Sequence, residues 1–390
     1  MRLVNKELCV KCKGRLFCGL KKCPLLEKAR FYPKGREIGR ELESTSPPSV
    51  FIGRYNYPNV NMGILAPSFP VDEPWILDSP TFWSEQEVGI EKVARYRSIL
   101  VNARTRDERY LEYIQLAALS TRPVDVELKL EGKSRVRGLR FNPETPPMGP
   151  PVELKKVELT SEPRVPKKVE EVVEDEIKAE EGLFYLYEHH FDKYYLEKVF
   201  SAGLLGIKKR IVPTRWSITA TDDILAKKML EEIRQFPVLD DYMIFRGGHY
   251  GNYFTIFFLP DKWSFELFEL WKPRSFWWRG EKVKVNSDFE GFYGRKDYAE
   301  NTGGGYYAAR LPIVEYLYEK RRQASVIVVR HITPDYYLPL GVWVVREGVR
   351  KALRDGRKSS LEGVKSLLKP FRSRVLDFHT RQKRLFDYEV

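Results

Sequence analysis

The chain has no apolar run approaching the roughly 18 residues that a membrane-spanning helix needs, and no signal-peptide pattern at its start. The expectation is therefore a soluble, cytoplasmic protein. Internal repeats are absent, and so are a Walker phosphate loop and a Gly-x-Gly-x-x-Gly dinucleotide fingerprint. Histidine is scarce, at 5 of 390 residues, and the pair His189-His190 lacks metal-ligand spacing. Cysteine is scarcer still: all 4 lie within residues 9–23, which excludes a disulfide framework.

What is present is positive charge and aromatic surface. The net charge is +13 and aromatics make up 13% of the chain. An excess of this size favours polyanions, most often nucleic acid, over an evenly charged surface. It is also concentrated: residues 346–390 hold 13 Lys/Arg against 6 Asp/Glu, while residues 170–181 are acidic. That basic end carries the expectation of nucleoid association.

Cys9, Cys12, Cys18 and Cys23 follow a C-x2-C-x5-C-x4-C spacing, which puts four thiolates within reach of one tetrahedral ion. Gly14 and Gly19 supply the turns between them, and six lysines and arginines between Lys6 and Lys22 favour the thiolate form. A structural Zn2+ is the leading reading, with an iron–sulfur cluster or redox cysteines as alternatives. At the other end, Gln382, Leu385 and Tyr388 have the spacing of a peptide that docks on a DNA sliding clamp. One short helical turn sets the aliphatic and aromatic residues side by side, and the glutamine amide hydrogen-bonds in a polar pocket. Glu389 stands where many such peptides carry a second aromatic.

Length predicts more than one domain. The expected division is a four-cysteine module over 1–30, an α+β region over 31–165 ending in a proline-rich connector at 142–166, a mixed core over 166–375, and a tail over 376–390. Residues 124–130 alternate as a half-buried strand. Residues 87–118 read as helical, residues 253–259 and 326–330 as buried strands, and 348–368 as a basic helical region. Leu225, Met229 and Ile233 stripe a helix starting near Asp222, and Pro312 suits the first turn of another. Helices and strands alternate without a doubly wound rhythm, so the fold class is mixed α/β (α+β).

Three stretches carry candidate chemistry. Residues 213–223 place Arg215, Trp216, Thr219, Thr221, Asp222 and Asp223 before the expected helix, as N-caps or as a phosphate cradle with carboxylates for Mg2+ or Mn2+. Residues 291–310 combine Arg295, Asp297, Gly304, Gly305, Tyr306, Tyr307 and Arg310. This is either a glycine hairpin over an aromatic core or a surface that stacks bases and pairs phosphates. His331 ends an apolar strand, where sites collect but where a lone histidine is more often structural, and Arg346 precedes the basic helix.

Taken together, the four-cysteine N-terminus, Pro147-Met148-Gly149-Pro150, Leu204-Leu205-Gly206, residues 213–223, 303–310 and 340–347 and the C-terminal tail resemble the Nre family of archaeal DNA-repair proteins. The resemblance runs over nearly the whole chain. It implies archaeal origin, a role in DNA-damage repair and partnership with the PCNA sliding clamp. It carries a zinc finger onto Cys9, Cys12, Cys18 and Cys23, and clamp contacts onto Gln382, Leu385 and Tyr388. It supplies no reaction. Two expectations follow. One is a clamp-recruited enzyme acting on phosphodiester bonds or nucleotides, with Arg215, Arg295 and Arg310 on phosphate, Tyr306 or Tyr307 on a base, and Asp222, Asp223, Asp297 and His331 in catalysis. The other is a non-catalytic DNA-binding adaptor. An RNA-associated zinc protein explains the charge but not the tail.

Overall fold

The structure, a computed structural model, describes residues 6–28, 37–131, 134–135, 139–149 and 151–386. The chain forms two compact units: residues 26–225 with 339–341, and residues 1–25 with 226–338 and 342–390. The N-terminal residues open with helix α1 (Lys6–Cys12), which belongs to the second of these.

The first unit is built on a six-stranded mixed sheet. Its strands are β1 (Glu41–Ser46), β2 (Ser49–Ile52), β3 (Met62–Pro67), β4 (Leu100–Arg104), β5 (Val124–Leu130) and β6 (Pro151–Leu159). The order is β1-β5-β6-β4-β3-β2, antiparallel except for the β4–β6 pair. Strand β5 alternates as its sequence requires, with Val124, Val126, Leu128 and Leu130 buried and the residues between them exposed. Every residue of β3 is buried, and Gly63 is obligatory there: a Cβ would lie 1.8 Å from the Ala103 carbonyl oxygen on β4. Helices α2 (Ile90–Ile99) and α3 (Leu111–Leu119) flank β4 in sequence, and α4 (Lys193–Ser201) precedes the long helix α5 (Thr214–Ile233).

The second unit holds another six-stranded mixed sheet. Its strands are β7 (Tyr242–His249), β8 (Asn252–Leu259), β9 (Ser264–Trp271), β10 (Lys284–Glu290), β11 (Ser325–Ile332) and β12 (Gly356–Ser359). They run β10-β9-β11-β8-β7-β12, with β9 and β11 parallel and the other pairs antiparallel. Helices α6 (Gly304–Lys320) and α7 (Trp343–Ala352) pack on one face, through Phe265 on Tyr306 and Phe254 beneath Gly348. Helices α8 (Leu361–Leu368) and α9 (Arg374–Phe386) cover the other, where Val364, Leu368 and Val375 meet Phe257, Phe268 and Val329. Alternation along each strand sends even and odd residues to opposite helix pairs.

The α+β class is as the sequence predicts, and β11 lies inside its sheet. Several local expectations differ. Residues 87–118 form two helices separated by β4, because Leu100, Val101 and Ala103 are drawn into the sheet. The proline-rich 142–166 stretch is not a connector: β6 occupies its centre, paired with both β4 and β5. Pro312 sits inside α6 rather than in its first turn. The basic 348–368 region is α7, β12 and α8, broken at Asp355-Gly356. Among the described residues, no helix is long and apolar enough to cross a membrane.

Candidate functional site

Residues 213–223 do not precede a helix; they are its first half. Helix α5 starts at Thr214, eight residues before the expected start near Asp222. Its opening amides are engaged, since Trp216 and Ser217 N–H both donate to the Pro213 carbonyl. The Thr214 hydroxyl accepts from the Ile52 amide at 2.9 Å. Asp222 and Thr221 are therefore neither N-caps nor a phosphate cradle. Asp222 is fully buried, 2.9 Å from the Lys193 ammonium on α4, which also bonds Glu197. A lysine in that position repels a divalent cation and leaves Asp222 a structural counter-ion. Asp223 and Thr219 are half-buried. Arg215 is neutralised by Glu144 at 2.8 Å through two nitrogens. Trp216 alone of this group is exposed, at 47%.

The second stretch folds into a buried polar network along the α6 face of the β7–β12 sheet. Glu269, Arg330 and Asn252 lie where β9 and β11 finish side by side and β8 and β10 begin, and Glu290 lies at the opposite end, beside the start of β9. Glu269 of β9 is fully buried and binds Arg330 of β11 at 2.6 Å. Arg330 also donates to the Asn252 side-chain oxygen at 2.5 and 3.0 Å. Asp288 of β10 accepts from the Thr302 amide and hydroxyl, each at 2.7 Å. Next to it, Glu290 takes Arg310 at 2.7 Å and the Trp263 indole N–H at 3.2 Å.

Within this network the glycines that open α6 bring the helix down onto the ion pair. A Cβ at Gly305 would stand 2.9 Å from Glu269 Oε1 and 3.3 Å from Arg330. Gly304 is likewise buried. Tyr306 and Tyr307 lie in the core, and the Tyr306 ring faces Arg295 at 5.2 Å and Arg310 at 5.9 Å. Burial, then the Glu290 carboxylate, holds the Tyr306 hydroxyl well above its ordinary pKa. Arg295 spends its donors on the carbonyls of Phe289, Asp297 and Tyr298. Asp297 is exposed in that loop. His331 projects from β11 to the α8–α9 face, half-buried, and burial followed by the Lys272 charge pushes its pKa below the usual value. Arg346 is fully buried on α7. Among the described residues, no three or more His, Cys, Asp or Glu side chains are gathered as a metal site requires.

Sequence reasoning missed what closes this network. Lys13, from the four-cysteine module, inserts its ammonium beside Glu269 at 2.6 Å and onto the Thr302 carbonyl at 2.9 Å. Arg15 lies over Gly303, where a Cβ on that residue would stand 3.1 Å from the guanidinium. The signal was present in part: Glu266 and Glu269 interrupt an otherwise apolar strand. The thiol of Cys9 is pushed up by burial, then by Cys12, Cys23 and Cys18, so the four sulfurs share one neighbourhood. Lys13, Gly14, Leu16 and Gly19 take positive φ, making tight turns between them. This donor set suits a thiolate-bound ion.

Helix α9 leads to the tail. Glu266 caps its start, accepting from the Ser373 hydroxyl at 2.6 Å and from the Arg374 and Val375 amides at 3.3 Å each. One turn on, His379 is clasped between Asp261 and Tyr242 at 2.8 Å each. Gln382 and Leu385 continue the helical backbone to Phe386, a longer helix than the single turn expected. Their side chains, and all of Tyr388, lie outside the described residues.

Two family models match the chain: "Archaeal Nre, N-terminal" over residues 17–278 and "Archaeal Nre, C-terminal" over residues 290–385. Similar curated proteins include the DNA repair protein NreA of Archaeoglobus fulgidus, 44% identical over 89% of this chain and 88% of that one. The DNA repair protein NreB of the same organism is 41% identical over 88% and 87%. The DNA repair protein NreA of Haloferax volcanii is 36% identical over 78% and 76%. No solved structure matches.

Proposed function

The chain belongs to the archaeal Nre family, and from that premise we propose that it is a DNA-repair protein brought to the PCNA sliding clamp by residues Gln382, Leu385 and Tyr388. The observation that supports the reading most is the seating of α9. Glu266, Asp261 and Tyr242 fix its first two turns to the sheet, and the clamp motif begins three residues after the clasped His379. A peptide presented from an anchored base keeps its own residues for a partner. The four-cysteine module holds one structural Zn2+ through Cys9, Cys12, Cys18 and Cys23, where the ion fixes a fold and does no chemistry. Of the acids considered for catalysis, Asp222 is committed to Lys193 and Asp297 stands exposed in its loop. The reading is therefore an adaptor that binds DNA and clamp.

Calorimetry of the full chain against the clamp tests recruitment. Burying an aliphatic and an aromatic side chain is worth roughly 3–6 kcal/mol gross. Ordering costs offset part of it, so an affinity in the micromolar range is expected. Leu385→Ala with Tyr388→Ala should abolish the heat, while Lys383→Ala should leave it unchanged. Unaltered binding by the double variant would place the contact elsewhere.

A further inference from the structure

We infer that the first unit carries a groove for single-stranded DNA, centred on Tyr57, Trp216 and the cations Arg106 and Arg210. The inference rests on the DNA-binding reading above and names where the strand lies. A cleft of about 550 Å³ opens between the loop after β2, the segment after β4 and residues 209–211. That volume is in the range of ordinary ligand sites, roughly 300–1,000 Å³. Its floor is apolar, formed by Val60, Met62, Leu111 and Ile211. Its rim carries Arg106, Lys209 and Arg210 against a single acid, Glu108.

Two properties separate this surface from an ordinary basic face. First, two of the three cations are uncommitted: Arg106 and Arg210 are exposed and enter no ion pair among the described residues, while the Lys209 ammonium donates to the Val173 carbonyl. Arg215 and Arg310, by contrast, are buried or partly so and neutralised by Glu144 and Glu290. Second, large aromatics stand in solvent beside those cations. Tyr57 is 41% exposed and Trp216 47%, and their rings meet at 5.6 Å. The Tyr57 hydroxyl donates to the Ile211 carbonyl at 3.0 Å, which pins an exposed ring that solvation alone would leave mobile. Beyond it Tyr55, 67% exposed, lies under the Arg54 guanidinium at 4.9 Å.

Pinned, exposed rings next to free cations are what an unpaired strand requires. Bases stack on aromatic faces regardless of sequence, while the cations follow the phosphates. A duplex keeps its bases stacked inside and offers these rings nothing, so the groove favours single strands. One base enters the apolar cleft against Tyr57, and its neighbour stacks on Trp216.

The experiment measures anisotropy of fluorescein-labelled dT15 with the full-length protein across a salt series. Tyr57→Ala with Trp216→Ala should weaken binding by about a hundredfold, since each of the two stacks carries on the order of tenfold. Trp216→Phe, with Tyr57 and its anchoring hydroxyl kept, preserves an aromatic at both places and should bind within a few-fold of wild type. Arg106→Glu with Arg210→Glu should weaken binding and flatten the log–log salt slope by about 1.4, at roughly 0.7 for each phosphate no longer neutralised. All the altered residues are exposed at the surface, and unchanged melting confirms that each variant is folded. Wild-type binding that none of these changes alters would overturn the groove and leave the DNA-binding reading standing. A wild type that binds no oligonucleotide at low salt would overturn both. Tighter binding of U15 than dT15, or of a 15-base-pair duplex than either, would overturn single-stranded DNA as the ligand.

Discussion

Glu269→Ala is expected to destabilise the second unit by about 3–5 kcal/mol, the cost of stranding one partner of a buried pair. Glu269 is fully buried and faces two cations, Arg330 and Lys13, each at 2.6 Å. Removing it leaves both without a counter-charge in a site with no access to water. Lys13 has an escape. Burial already lowers its pKa against the opposing pull of Glu269, so without that carboxylate it can release its proton. Arg330 has none, because a guanidinium stays charged. It keeps only Asn252, a neutral partner, at 2.5 and 3.0 Å. The pair Glu269→Leu with Arg330→Met should therefore recover most of the stability, since an apolar pair of similar volume carries no stranded charge. Chemical denaturation measures both. A single variant within about 0.5 kcal/mol of wild type would show that the network is wet rather than sealed.

The second large effect is at the opposite end of the sequence. Sequence alone makes the four-cysteine module a local appendage whose removal spares the core. The structure ties it to the core through Lys13, which sits one residue after Cys12 and reaches 256 residues along the chain to Glu269. Cys9→Ser with Cys12→Ser should release one zinc per chain by elemental analysis and free Lys13 from its seat. Glu269 then keeps only Arg330, and a destabilisation of about 3 kcal/mol is expected. For a unit of this size that is roughly 6–12 °C in Tm. Release of the metal with an unmoved Tm would show that Lys13 holds its place without it. A brown wild-type protein absorbing near 400 nm would replace zinc by an iron–sulfur cluster.

What was legible in the chain was what depends on neighbours in sequence. Strand β5 follows from strict alternation, and β8 and β11 from uninterrupted apolar runs. The start of α5 was not, because hydroxyls and carboxylates in 214–223 read as caps. Inside a helix a serine can bond back to its own turn, as Ser217 does to the Thr214 carbonyl at 3.0 Å, so the polar run costs the helix little. Strand β4 was hidden between two helices because sheet pairing overrode a composition that suits either state. The network around Glu269 left only its carboxylate in an apolar strand as a signal, and its partners could not be read. Its members come from the segment after α1 and from β8, β9 and β11, and no local pattern records that distance. The cleft at Tyr57 had a faint signal, aromatics and an arginine in a proline-bearing loop at 54–58, but not its partners from residues 106 and 209–211.

Clamp-dependent retention on DNA tests the account most directly. The full-length protein is incubated with primed circular DNA bearing loaded clamp, and the fraction eluting with the DNA is measured at about 150 mM salt. Wild type should be retained more strongly when clamp is loaded than on the same DNA without it, and Leu385→Ala with Tyr388→Ala should lower retention to that clamp-free level. Retention of the variant equal to wild type on clamp-loaded DNA, or no gain for wild type when clamp is loaded, would contradict recruitment through the tail.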